Sequence, residues 1–143
     1  MIKVEIADTA HFATITAYIY EEGFILTQTV QYEKQDHIIK RQAESEKQFL
    51  AEFAAGDYTL ANPLVKLNPY FLAPLTAMVL FKTPAATEVT VTIHGKEPAG
   101  NITHRFGAAK EHILPIYGLY AAYDNQVELR LANGAAQTIT ITT

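Results

Sequence analysis

No cysteine occurs among the 143 residues, which removes disulfides, thiolate metal sites and cysteine nucleophiles from consideration. Serine is almost missing as well. Ser45 stands alone, inside a helical pattern, so serine-hydrolase chemistry has no support. There is no block of Lys or Arg, and 11 basic against 15 acidic residues leave a net charge of −4. Nucleic acid and anionic membranes both demand a clustered cationic face, so neither is an expected partner. No apolar run approaches the roughly 20 residues that cross a bilayer. Gly-rich phosphate loops are absent too, because Gly95, Gly100 and Gly107 are spread as turn glycines. The opening MIKVEIADTA lacks a basic segment followed by an apolar run, so no export signal is expected in it.

What is present is an ordinary globular composition, 49% hydrophobic and 18% charged. A chain of this length buries roughly 68–70% of its unfolded surface, enough for a core without staples. Phe12–Tyr20 alternates Ala13, Ile15, Ala17 and Ile19 against Thr14, Thr16, Tyr18 and Tyr20. That period of two predicts a strand. Glu21-Glu22-Gly23 reads as a turn and Phe24–Tyr32 as the returning strand, giving a β-hairpin. The next segment, EKQDHIIKRQAESEKQFLAEFAAG, is the one strong helix. Ile39, Ala43, Leu50 and Phe53 form its stripe, Ile38 and Phe49 widen it, and Gly56 follows in the place of a left-handed cap.

From Asp57 onward the pattern is β throughout. Short runs recur at Leu64–Leu67, Leu75–Phe81, Glu88–His94, Ile102–Phe106, Gln126–Ala132 and Gln137–Thr142. Lys82-Thr83-Pro84, Gly95–Gly100 and Asn133-Gly134 punctuate them as turns. The expected fold is therefore mainly β: an immunoglobulin-like antiparallel β-sandwich preceded by a β-hairpin and one amphipathic α-helix. The expected division is 1–58, hairpin and helix packed on the sandwich, and 59–143, the sandwich itself. TITITT alternates to the last residue, which reads as a chain cut at a domain border.

Candidate chemistry is sparse. His94 and His104 flank a predicted hairpin loop, and with His112 and Glu97 or Glu111 they are the residues from which a metal hydrolase would be built. None has a compact ligand spacing, and the competing reading is polar side chains on exposed strand faces. Tyr18, Tyr20 and Tyr32 line the hairpin as a stacking platform for a glycan or peptide. Tyr120 or Tyr123 fits a corner residue whose hydroxyl ties a loop to the backbone.

One stretch raises a sharper question. NPYFLAPLTAMVLF, Asn68 to Phe81, places Pro69 and Pro74 ahead of an unbroken apolar strand. Two prolines fix φ and remove two donors, so this lead-in cannot pair as a central strand. With EVTVTIHGK, NITHRF and LPIYGLYAAYDNQVELRL following in order, it resembles the N-terminal immunoglobulin-like domain of bacterial aryl-sulfate sulfotransferases over Asn62–Thr143. Asn68, Pro69, Tyr70, Phe71 and Pro74, with Gly118, Leu119 and Tyr120, carry the likeness. It implies a non-catalytic accessory domain, without cofactor, of an extracytoplasmic enzyme. That enzyme moves a sulfuryl group from a phenolic sulfate ester to a phenol, using catalytic histidines and an arginine in a downstream β-propeller. No catalytic position carries over to this chain. The signature residues are expected to brace the sandwich and to dock it on the propeller or on a second subunit. An independent immunoglobulin-like binding module of an extracytoplasmic protein is the alternative.

Overall fold

The computed structural model describes residues 1–10, 12–21 and 24–143. Its elements run β1 (Ile2–Asp8), β2 (Phe12–Glu21), β3 (Phe24–Glu33), α1 (Gln35–Ala55), β4 (Leu64–Leu67), β5 (Thr76–Ile93), β6 (Ile102–Tyr117), β7 (Asp124–Leu131) and β8 (Ala136–Thr142). The chain forms two compact units, Met1–Glu44 and Ser45–Thr143, with the border inside α1.

In the first unit the expected hairpin is a three-stranded antiparallel sheet in the order β1-β2-β3. IKVEIAD, unassigned in the sequence reading, pairs with β2 from Ile2↔Ile19 to Asp8↔Ala13. The expected turn at Glu21-Glu22-Gly23 lies at residues 22 and 23, outside the described residues.

The second unit is built around β5. Its first part pairs with β4 (Leu64↔Leu80 to Leu67↔Ala77) and its last part with β7 (Val89↔Leu131 to Ile93↔Val127). β6 follows its other side from Thr76↔Tyr117 to Ile93↔Ile102, and β8 extends the sheet beyond β7. Lys82-Thr83-Pro84 is not a turn. It lies inside β5, where the register with β6 slips between Lys82 and Val89. A bulge tolerates Pro84, because no ladder bond is required there. The slip lets one strand serve two layers. Ala77, Val79 and Phe81 before it share a single core with Val89, Val91 and Ile93 after it, joined by Leu114, Ile116, Val127, Leu129 and Ile141.

The unbroken apolar run TAMVLF now has its reason. Odd-numbered residues enter the core, while Leu80 faces outward and packs with Leu64 beneath Phe49 and Phe53 of α1. A strand buried on both faces needs no alternation. The helix stripe is correspondingly shifted: Phe49 and Phe53 are buried, Leu50 half-buried, and Ile39 and Ala43 exposed. Nor is Gly56 a left-handed cap, since among the described glycines only Gly118 and Gly134 take positive φ. A Cβ at Gly56 would lie 2.3 Å from Cε2 of Tyr58, so ring clearance is what requires glycine. The terminal helix carbonyls are met by Lys82, whose Nζ donates to the carbonyls of Ala54 (3.3 Å) and Gly56 (2.9 Å).

Candidate functional site

The Asn68–Leu75 lead-in is the connection from β4 to β5. Asn68 and Phe71 both adopt left-handed backbone, at φ 46° and 66°. Asn tolerates that region, and its Oδ1 accepts from the Ala73 amide at 3.0 Å across the loop. The Asn68 amide donates to the Thr76 carbonyl at 2.8 Å, closing the base. Pro69 is buried, and its carbonyl accepts from the Ser45 hydroxyl at 2.6 Å. Tyr70 sets its ring edge-on to Phe49, with centroids 6.1 Å apart, and donates its hydroxyl to Glu46 at 3.2 Å. Burial, then the Glu46 carboxylate, push the Tyr70 phenol upward from its ordinary value. The single serine of the chain is thus a brace between helix and loop. Phe71 and Pro74 are exposed.

The 118–125 corner is held differently from the expectation. Gly118 takes φ 82°, Leu119 enters the core, and Tyr120 is half-buried. The tie expected of a tyrosine hydroxyl is made by a different side chain. The tie is Asn125, fully buried. Its Oδ1 accepts from the Tyr120 amide at 2.7 Å. Its Nδ2 donates to the carbonyls of Tyr120 (3.1 Å), Tyr123 (3.0 Å) and Ile141 (3.1 Å). Tyr120 and Tyr123 instead pack edge to face at 5.7 Å, with Lys96 Nζ about equally close to both rings, at 5.0 and 5.1 Å. The lead-in and the corner meet where the Leu119 amide donates to the Leu75 carbonyl at 3.3 Å.

The histidines are not gathered. His104 pairs across from Val91 and stacks edge-on to Phe106 at 4.6 Å, whereas His112 pairs across from Phe81 at the far part of β6. No group of three metal-ligating side chains forms among the described residues, and His11 lies outside them. His112 is also not the exposed residue expected. It is buried, stacked on Phe81 at 4.6 Å, with Nε2 3.0 Å from the Thr83 hydroxyl. Burial lowers its pKa, because the imidazolium loses hydration. The unfolded chain then binds a proton that the native state refuses, so stability rises with pH across that window. Urea unfolding is therefore expected to hold its midpoint above pH 7 and to weaken as pH falls through about 6.5. Replacing His112→Gln should remove that dependence.

The tyrosine platform is divided by register. Tyr18 and Tyr20 lie on one face of the three-stranded sheet, while Tyr32, opposite Ala13, lies on the other.

A cavity of about 350 Å³ opens beside β6, lined by Ile93, Ile102, His104, Phe106, Pro115 and Tyr117. β6 pairs only with β5, so its outer edge is free among the described strands. Ile102, Ile113 and Tyr117 are exposed along it. Pattern reading missed this groove because it ended the strand at Phe106. The apolar positions resuming at Ile113 were the available signal.

The sequence profile described as the arylsulfotransferase Ig-like domain matches residues 64–143, which begin with the first residue of β4 and hold the whole sandwich. Arylsulfate sulfotransferase AssT of Lelliottia amnigena is 31% identical over 93 residues, covering 57% of this chain and 15% of that protein. The chain thus spans a small fraction of the length of the curated relative it matches. No solved structure gives a significant match.

Proposed function

Because the chain belongs to the arylsulfotransferase Ig-like domain family, we propose that it serves as the N-terminal accessory domain of an aryl-sulfate sulfotransferase. The observation that carries this is the extent of the match, 64–143, which coincides with the sandwich and not with an isolated motif. In this reading the parent protein moves a sulfuryl group from a phenolic sulfate ester to a phenol. The catalytic groups lie in a β-propeller outside this chain, and the parent works outside the cytoplasm. No helix among the described residues is long and apolar enough to cross a membrane.

The part played by these residues is to carry and dock. Pro69 and Tyr70 fasten the lead-in to α1, and Leu119 fastens the corner in the core. Phe71 and Leu72 project from the lead-in, and Tyr117 and Ile113 from the free side of β6. An apolar surface of this kind at a strand edge suits the catalytic domain as its covering partner. The two prolines keep the lead-in from pairing, so it holds a fixed loop shape for that contact.

The test is sulfuryl transfer from 4-nitrophenyl sulfate to phenol, measured on the complete natural reading frame containing this sequence and on the 143-residue chain alone. Activity is expected only in the complete frame. Turnover by the short chain would place catalytic groups within it. An inactive complete frame would remove the sulfotransferase reading.

A further inference from the structure

The sheet of the first unit has two faces of different kind. By register, Lys3, Glu5, Thr16, Tyr18, Thr27 and Thr29 point one way. These groups satisfy one another: Lys3 pairs with Glu5 at 2.6 Å, Tyr18 donates to Glu5 at 3.1 Å, and the Thr16 and Thr29 hydroxyls meet at 3.2 Å. Ile2, Val4, Ile6, Ile15, Ile19, Val30 and Tyr32 point the other way. Most of them are far from buried: Ile2 is 69% exposed, Ile6 71%, Val4 55% and Tyr32 54%.

Among the described residues of this unit, none is placed over that aliphatic face. The first half of α1 meets the polar side, where His37 Nδ1 lies 2.7 Å from the Glu33 carboxylate and its ring 6.0 Å from Phe12. Phe12 and Glu33 are register partners on the polar face. A three-stranded sheet depends on a hydrophobic face packed against something, and the described residues of this unit supply no layer on its apolar side.

We infer that this face is a self-association surface, on which two copies of the chain stack their three-stranded sheets into a two-layer, six-stranded sandwich. The inference stands apart from the sulfotransferase reading, since it concerns the unit outside the family match. Three observations select a second copy as the occupant. The first is area. Side chains of this size and exposure offer roughly 600 Å² per copy, and two faces together reach about 1,200 Å², the lower bound of stable specific interfaces. Charge is the second. Register places Asp8, Glu21 and Gln28 on the same face; Asp8 pairs with Lys34 at 2.6 Å. The two acidic positions stand at opposite ends of the rows, Asp8 opposite Ala13 and Glu21 opposite Phe24, with aliphatic residues and Gln28 between them, and apolar cores are the mark of homodimer interfaces. The third is shape. β1 and β2 pair without a register break, as do β2 and β3, so each sheet presents regular rows able to pack about 10 Å from a like sheet.

The experiment takes the full 143-residue chain. Sedimentation at about 1 to 100 µM is expected to show a shift toward twice the chain mass of 15.8 kDa. Ile6→Lys should weaken dimerisation about 100-fold, while Thr27→Lys, on the polar face of the same sheet, should leave it intact. A second readout is independent of whether Ile6→Lys folds. The chain has no cysteine, so Ile15→Cys creates a unique thiol at the centre of the face. Its maleimide labelling should slow about tenfold between 1 and 100 µM. A wild type that stays monomeric throughout overturns the inference. Labelling that is slow but independent of concentration does the same, assigning the face to a cover within one chain. A dimer insensitive to Ile6→Lys places the interface elsewhere.

Discussion

Asn125→Ala is expected to destabilise the sandwich by about 4 kcal/mol, from the loss of a buried carboxamide and the exposure of its partners as unpaired groups. The side chain makes four hydrogen bonds, all to main-chain atoms, from three points of the chain: Tyr120, Tyr123 and Ile141. Water can reach the Tyr123 carbonyl on the exposed turn once the carboxamide is gone. The Ile141 carbonyl lies deeper, in the β7–β8 ladder opposite Asn125, and loses its side-chain donor. Asn125→Asp should be at least as severe. It keeps the acceptor for the Tyr120 amide but turns a carboxylate toward three carbonyl oxygens that had shared the two N–H groups of Nδ2. Urea denaturation followed by circular dichroism measures both changes. A loss below about 1 kcal/mol for the alanine variant would show that the corner holds without its tie.

Leu80→Ala is expected to cost about 4 kcal/mol, near the upper part of the range for buried leucine truncation. Leu80 is fully buried, although it points away from the sandwich core. It lies under Phe49 and Phe53 beside Leu64, where two aromatic rings on a helix cannot settle into the vacated space without moving the helix itself. Incomplete collapse is what raises the penalty. The second half of α1 should also loosen. Amide exchange near Phe53 is expected to accelerate in this variant more than exchange in β7, whose Val127 and Leu129 belong to the other cluster. Equal acceleration at both places would mean that helix and sandwich open together.

These two residues mark the limits of pattern reading. Alternation in EVTVTIH and in Gln126–Leu131 identified real strands, because one face of each is buried and period two follows directly from that. Leu80 belongs to a run without alternation, and such a run does not say which neighbour covers which side. The helix stripe was displaced for a related reason. Ile39 and Ala43 satisfy the helical period as well as Phe49 and Phe53 do, and the period does not say that Phe49 and Phe53 are the pair that packs with Leu64 and Leu80. Asn125 was legible as part of the corner that the family resemblance covers but not as its tie, since a polar residue near a turn suggests solvent. Its role arises from two loop carbonyls and a carbonyl of β8, brought together by the fold. IKVEIAD was legible in principle, as its alternation is as regular as that of EVTVTIH. The signature stretch from Asn68 to Phe81 was located by its prolines, whereas its attachment to α1 through Ser45, Glu46 and Phe49 depends on contacts more than twenty residues away.

The slipped register inside β5 has a consequence for how the sandwich comes apart. Strands β5 and β6 form one long hairpin that contributes to both layers. The layers therefore cannot separate as blocks, because parting them would tear a continuous ladder. Sequence-local hairpin pairing comes early and at low entropic cost, since it closes only the short loop 94–101. Once that ladder is in place, β4, β7 and β8 add to a template already bent to enclose a core. Strands β4 to β8 are thus expected to unfold together, with a cooperativity that originates in a main-chain irregularity more than in any single packed side chain.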